Sequence, residues 1–502
     1  MKQKSLANNI VILISLTILL KCVGFINRIV IAYYFGTSSL TDIYYNASGF
    51  VDGISAVILA SLSVGIINIY INNKNKRDNN KFISNLVVVI VLFMVFLALL
   101  LFFSSGVIAK MLAPAYGSKD TMYLKNILKW MCMVLPFQGC IAVYSAVLEA
   151  EKRFTPVRLT GTATSVINIM CILLLAKRIH TATLLVSYII GIVFNAIFLV
   201  VNAGKLCRFR PKKVLEDKDL KKLLFLIIPI LIGTAGHELN LMIDKSVASQ
   251  ITFGAVSALS YSCVLYLFVE NVIINSIVTA VFPDMTEKIM NSDKEQLALG
   301  TQNVICFAEC VLIPIVICIL FVSTEITKVV YMRGSFDVNS VSLTSAALCG
   351  YVIGLPFLAL RDIVTRVYYA FGDTKTPVVI NLVAVGINIV LDIVLAKQLG
   401  IFGITLATSL ANAFSGIVLA VFVSRHFQLF KSNKFCKRLA MISFGIIPMW
   451  LTGLLFPKIS NDIFLIFLYA SCFVIIQFIW VVITKVFTIE EIKKVVMRAR
   501  RK

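Results

Sequence analysis

Apolar runs of twenty residues or more, separated by short polar stretches, recur along the whole chain. The run Leu86–Phe103 has no polar residue at any helical or strand phase. A helix crossing the hydrocarbon of a bilayer needs about 20 mostly apolar residues. That ruler predicts fourteen spans: 10–34, 43–71, 82–104, 125–148, 157–176, 182–203, 223–249, 255–283, 302–323, 340–369, 377–396, 402–423, 439–456 and 462–484. A membrane β-barrel would instead alternate polar and apolar residues in segments of about ten. The unbroken runs exclude that, so the fold class is an all-α polytopic membrane protein.

Composition agrees with the pattern. Of 502 residues, 59% are hydrophobic and 14% charged, and the mean hydropathy is +0.93. Soluble domains carry about 45–50% apolar and about 25% charged residues. The formal net charge of +22, from 47 Lys and Arg against 25 Asp and Glu, would on a soluble protein point to nucleic acid. Its distribution gives another meaning, because Lys and Arg favour cytoplasmic loops. With the N-terminus (Lys2, Lys4) inside, the even-numbered connections fall inside too. They hold Lys74, Lys76, Arg77 and Lys81, the basic stretch Lys205–Lys222, the stretch Arg425–Arg438, and the tail from Lys485 to Lys502. The excess is therefore a topology signal that places both termini in the cytoplasm, and no nucleic-acid partner is expected.

The first apolar run continues through Lys21 and Arg28 to Gly36, too long for the apolar region of a removable signal peptide. The twelve cysteines lie mostly inside apolar runs and none forms a Cys-x-x-Cys pair, so they read as small hydrophobes rather than as a disulfide framework or zinc site.

The chain also repeats itself. Thr155-Pro156-Val157 recurs as Thr376-Pro377-Val378, Ile167-Asn168-Ile169 as Ile387-Asn388-Ile389, Leu175-Ala176-Lys177 as Leu395-Ala396-Lys397, and Phe35-Gly36 as Phe253-Gly254. The order is kept at an offset of about 220 residues, so spans 1–6 correspond to spans 7–12. Six is even, and the halves are parallel repeats, an arrangement found in transporters. The expected organisation is an N-lobe over 1–204, a basic cytoplasmic linker over 205–222, a C-lobe over 223–424, and two further helices with a basic tail over 425–502.

A charge at the bilayer centre costs at least about 2.5–3.5 kcal/mol, so such groups normally meet a partner or a water-filled cavity. Span 1 holds Lys21 and Arg28 on one helical face. Span 2 carries Asp42, Asn46, Gly49, Gly53, Ala56, Ala60 and Ser63 as one small or polar stripe, with Asp52 on its flank. Span 7 holds His237, Glu238, Asn240, Asp244 and Lys245, and span 8 holds Glu270, Asn271 and Asn275. Span 10 ends with Arg361, Asp362 and Arg366. The clustering in spans 1, 2, 7 and 8 predicts a cavity lined by those helices. Several of these features also have purely structural readings. The span-2 stripe can serve close helix packing, Asp244 and the Glu238–Lys245 pair can fix a helix rotation, and Arg361 and Arg366 can snorkel to headgroups.

No phosphate-binding Gly-x-x-x-x-Gly-Lys-Ser/Thr loop is present, nor a His-Glu-x-x-His or Gly-x-Ser-x-Gly motif. No built-in ATPase or hydrolase is expected, and no cofactor. Transport would then draw on the membrane potential, on Na+ or H+, or on the substrate's own gradient. A small-molecule antiporter would need a carboxylate-dominated cation site, whereas span 1 offers cations. A membrane transferase would need catalytic groups in sizeable outer loops, and the longest, Ser104–Tyr123, has one acid, Asp120.

Several strings resemble the MurJ (MviN-type) lipid II flippase family of the multidrug/oligosaccharidyl-lipid/polysaccharide (MOP) exporter superfamily. They are Lys21–Arg28, Phe35-Gly36 with Thr41-Asp42-Ile43-Tyr44-Tyr45, Ile243–Ser249 with Ser257–Tyr261, and Phe282-Pro283. The most specific are Arg333-Gly334-Ser335-Phe336, Leu355-Pro356 and Arg366–Pro377. The resemblance covers nearly the whole chain. It implies fourteen helices in two lobes around a central cationic cavity. It further implies a flippase that moves undecaprenyl-diphosphate-linked peptidoglycan precursor to the outer leaflet of the bacterial cytoplasmic membrane, with cell-wall synthases as possible partners. On that reading Lys21, Arg28 and Lys245 bind the diphosphate. Asp42, Asn46, Asp52, His237, Glu238, Asp244, Glu270 and Asn271 line or gate the cavity, and Arg361 and Arg366 form a cytoplasmic gate. The chain departs from the family where arginines are usual: Lys21 and Asn27 stand in span 1, and residues near Ser55 and Val264 replace the arginines of spans 2 and 8. Fewer cavity cations leave another lipid-linked glycan, such as a capsule or exopolysaccharide unit, as an alternative cargo.

Overall fold

With no water to satisfy backbone groups inside a bilayer, apolar runs bond internally as helices. The structure, a computed structural model, describes residues 22–72, 76–180, 182–204, 217–279, 294–427, 433–456 and 461–484, with isolated positions 209, 211, 214, 430 and 486. The helices are α1 (Cys22–Phe35), α2 (Ser39–Asn72), α3 (Lys76–Leu112), α4 (Ser118–Cys132), α5 (Leu135–Ala150), α6 (Phe154–Ile179), α7 (Ala182–Gly204) and α8 (Lys218–Ala248). They continue as α9 (Ala255–Val269, extended by a π-helical turn Glu270–Ile274), α10 (Lys294–Tyr331), α11 (Val338–Val352), α12 (Leu355–Ala370), α13 (Lys375–Leu399), α14 (Ile401–Phe427), α15 (Asn433–Phe444), α16 (Ile446–Leu455) and α17 (Asp462–Ile483).

Among the described residues, ten helices are long and apolar enough to span a bilayer singly, and up to thirteen spans result if each of three bent pairs counts as one. The predicted count of fourteen is not reached there, because only the shorter Cys22–Phe35 represents span 1 and its earlier part lies outside the described residues. The outward faces are apolar, with Phe103 81% and Leu455 83% exposed, the surface expected where lipid is the solvent.

The breaks follow the duplication. Predicted span 4 is two helices, α4 and α5, bent by 41°; span 10 is α11 and α12, bent by 42°. Both second helices start on Leu-Pro-Phe, Leu135-Pro136-Phe137 and Leu355-Pro356-Phe357, a repeat match that the sequence comparison above passed over. Proline lacks the N–H that would continue the preceding helix and suits a first helical turn. Span 7 is also bent, by 52° between Asp219–Ile228 and Gly233–Ala248, where the sequence has Pro229. Left-handed backbone recurs in pairs too: Gly36 (φ 55) with Gly254 (φ 90), Lys152 (φ 59) with Gly372 (φ 81), and His180 (φ 47) with Gly400 (φ 61). Each pair sits at a helix end near the same repeat offset, so the turns were copied with the helices.

Contacts divide the chain into two units, residues 1–260 with 333–340, and 261–332 with 341–502. In the first, α2 packs along α8, α5 and α4, α3 along α4 and α5, and α7 along α6 and α5. In the second, α14 packs along α13 and α12, and α10 along α17 and α12. The pairings α5–α7 and α12–α14, and α6–α7 and α13–α14, are the same pairing in each repeat. The unit boundary falls within the start of α9 rather than in the 205–222 linker that the repeat marks. The reason is close packing of α8 on α2: Leu223 and Ile227 fill the space a side chain at Gly65 would need.

Candidate functional site

The charged residues of α1, α2 and α8 meet inside the first unit. Their approach depends on glycine. A Cβ at Gly49 would overlap the Lys245 ammonium, and one at Gly53 would crowd Met242 Cε at 2.6 Å and Glu238 Oε2 at 3.2 Å. The stripe read from the sequence as either packing or cavity lining is therefore a seat for the α8 side chains, and it fixes where their charges lie. Lys245 Nζ donates to the Tyr45 carbonyl at 3.2 Å. The Arg28 guanidinium lies over the Tyr45 ring, 5.2 Å from its centroid, a cation–π arrangement. Arg28 and Lys245 both lie within electrostatic range of Asp52, and Lys245 within range of Glu238.

Asp52 is accessible to solvent although protein groups surround it. Tyr188 Oη donates to Asp52 Oδ1 at 2.7 Å, and Gln138 Nε2 approaches the same oxygen at 3.5 Å and Tyr188 Oη at 3.4 Å. Tyr188 and Gln138 stand on spans 6 and 4, which the sequence shows as nearly free of charge, so these two neutral groups do not stand out there.

The remaining candidates divide. Lys21 lies outside the described residues. Asp42 lines no cavity: it is 0% exposed and accepts from Gly254 N (2.6 Å), Ser257 N (2.7 Å) and Ser257 Oγ (2.6 Å). It thereby caps the first turn of α9, whose N–H groups have no partner within the helix. Asn46 is buried beside it, with neither amide atom in a hydrogen bond. Asp244 is 2% exposed and accepts from Asn240 Nδ2 at 3.4 Å, while His237 is exposed.

In the second unit, Glu270 opens the π-helical turn of α9, and Asn271 Nδ2 donates to the Leu267 carbonyl at 2.7 Å. Arg361 does not reach outward as a snorkelling side chain would. It pairs with Asp362 through Nε and Nη2 (3.0 and 2.9 Å) and donates from Nη1 to Asn412 Oδ1 at 2.9 Å. Arg366 is exposed. Two further buried polar groups of this unit had no place among the sequence candidates: Asp392, approached by Asn388 Nδ2 at 3.5 Å, and Glu309 on α10.

The Arg333-Gly334-Ser335-Phe336 string closes on the end of α1. Ser335 N donates to the Tyr33 carbonyl at 2.8 Å and Ser335 Oγ to the Tyr34 carbonyl at 3.1 Å, while Gly334 (φ 62) lies so near Tyr33 that a Cβ would overlap its carbonyl oxygen. Thr37 Oγ1 and Ser340 Oγ lie 2.6 Å apart. Just beyond, Asp337 caps α11 by accepting from Ser340 N (2.8 Å) and Ser340 Oγ (2.7 Å), bonds that hold its carboxyl below the usual carboxylate range.

Bent spans, a duplicated helix order and charges gathered on α1, α2 and α8 define a two-repeat polytopic membrane protein. The fold is shared with solved structures. One described as "Lipid II flippase MurJ, inward closed conformation" matches with a TM-score of 0.81 at 21% identity, covering 94% of this chain and 99% of that one. An inward-facing multidrug resistance MATE transporter matches with a TM-score of 0.69 at 12% identity, covering 82% and 96%. The family model "Lipid II flippase MurJ" matches residues 31–474, and the chain belongs to that family. Relatives named "Probable lipid II flippase MurJ" include one from Rickettsia prowazekii, 28% identical over 63% of this chain and 63% of its own length. Another, from Vibrio cholerae, is 28% identical over 61% of this chain and 58% of its own length. The alignments thus span less than two thirds of those two relatives.

Proposed function

We propose that this chain is a flippase that carries a lipid-diphosphate-linked peptidoglycan precursor, lipid II, from the inner to the outer leaflet of the bacterial cytoplasmic membrane. The observation that carries the reading is the gathering of Arg28 and Lys245 with Asp52 and Glu238 in the first unit of a family-matched transporter. Cations held at membrane depth suit a diphosphate, and Lys21 joins them on this reading. Because span 1 offers Lys21 where the family carries arginine, contact with the diphosphate is by point charge rather than by a bidentate fork.

Lys/Arg distribution supports cytoplasmic termini, and alternating access would move the repeats around the bound headgroup. Moving negative charge outward against an inside-negative potential is favourable by about 2.3 kcal/mol per charge per 100 mV, which can drive export without an ATPase. Coupling to Na+ or H+ and docking of cell-wall synthases are further parts of this reading. Another lipid-linked glycan is the second reading, and the scarcity of cavity arginines favours it. Expression of this chain in a bacterium depleted of its lipid II flippase tests the two. Restored growth and wall synthesis are expected. A stable, membrane-inserted chain that restores neither would refute the lipid II reading, and rescue of a capsule or exopolysaccharide flippase mutant instead would establish the second.

A further inference from the structure

Asp52 is held with one oxygen spoken for and the other open. Tyr188 and Gln138 both direct their hydrogen bonds to Oδ1, and Oδ2 has no hydrogen-bond partner among the described residues. A carboxylate oxygen lacking a donor, on a side chain accessible to solvent, is a receptor for a group rich in N–H and positive in charge.

The setting selects which cation fits. Arg28 and Lys245 lie in electrostatic range of Asp52, with Glu238 in range of both Asp52 and Lys245. A bare monovalent cation meets two cations and two carboxylates there and gains little net attraction. A ligand bearing its own anion next to an ammonium can satisfy both signs at once.

The second repeat supplies an internal comparison. Phe35-Gly36 and Phe253-Gly254 are matched left-handed corners, and Asp52 follows the first by the same number of residues as Glu270 follows the second. In the second unit Arg361 lies in electrostatic range of Tyr266 and Glu270 and is itself anchored by Asp362 and Asn412. The carboxylate of the second repeat thus has an anchored cation nearby on the equivalent of α5, where Asp52 has Arg28 of α1. In the first repeat α5 offers the neutral Gln138 instead.

We propose that Asp52, oriented by Tyr188 and Gln138, is the acceptor for a primary ammonium on the transported headgroup, so that the cargo is a lipid diphosphate whose glycan or peptide carries a free amine. This deepens the flippase reading and rests on it. Tyr188 and Gln138 act as positioning residues.

Binding to the purified full chain would be measured with two probes: lipid II carrying a lysine in its peptide, and the same lipid acetylated at that amine. The wild-type chain is expected to bind the free-amine form about tenfold more tightly, the scale of one charge-assisted hydrogen bond. Asp52→Asn should lower affinity for the free-amine form to that of the acetylated form, and Tyr188→Phe should narrow the gap in part, while Asp52→Glu should restore much of it. Equal binding of both forms by the wild-type chain would overturn the proposal and leave the flippase reading standing, and that comparison needs no variant to fold. Discrimination unchanged in Asp52→Asn would also overturn it. So would binding of Na+ alone, without lipid, that Asp52→Asn abolishes. Binding of neither lipid form would overturn the flippase reading, and this inference with it.

Discussion

Single side chains decide most of the site. The Lys245 ammonium occupies the space that a Cβ at Gly49 would take, so Gly49→Ala displaces the ammonium. Rescue of a flippase-depleted strain should fall at least tenfold while the membrane level of the variant stays normal; unchanged rescue would show that Lys245 need not lie there. His180 takes a backbone shape, φ 47 and ψ −127, close to that of its repeat equivalent Gly400, φ 61 and ψ −140. For a residue with a Cβ that region costs of order 1–3 kcal/mol. His180→Gly should therefore raise the thermal midpoint of the detergent-solubilised chain, and a lowered midpoint would place a compensating contact at His180. At this scale the sequence showed the charges but not their partners. Arg28, Asp52, Glu238 and Lys245 could be picked out as costly intramembrane groups, whereas Tyr188 and Gln138 carry no charge and appear ordinary until folding sets them against Asp52.

Helices add what residues alone do not show. An acid in an apolar run demands a partner, which places Asp42 among the cavity residues by sequence, but its partners are the buried N–H groups at the start of α9 that the helix leaves unpaired, far away in sequence. The rule was sound, but the partner depends on tertiary contact. Asp337 does the same for α11 within a few residues. Its carboxyl is held below the ordinary value, so the folded state favours the ionised form. That contribution is complete at neutral pH and is lost as the pH falls through the folded-state value, below the usual carboxylate range. Asp337→Ala should cost about 0.5–2 kcal/mol at neutral pH, and the difference from wild type should shrink in acid. A pH-independent difference in unfolding midpoint would count against the cap. The breaks in spans 4 and 10 belong to this scale too: Leu-Pro-Phe stands in both repeats, and the 41° and 42° bends show that the prolines start new helices rather than merely punctuate one.

For the whole molecule, the basic loops predict orientation. Alkaline phosphatase fused at Lys119, in the connection expected outside, should be active, and fused at Lys213, in the basic linker, inactive; the reverse pattern would invert the topology. The duplication was readable because short strings survive at a constant offset, and the paired left-handed turns and paired helix contacts extend it into three dimensions. The unit boundary was not readable. Hydropathy marks where helices begin and end, but α8 joins the first unit through the fit of Leu223, Ile227 and Lys245 into gaps left by Gly65 and Gly49. The sequence by itself determined that this is a helical, duplicated, multi-pass membrane protein, because apolar length and repeated strings are properties of the linear chain. It also determined which charges are costly enough to need an explanation. Only the tertiary structure decided what each charge does, because a buried carboxylate becomes a helix cap, an anchored ion pair or an open acceptor according to which donors folding brings within about 3 Å of it.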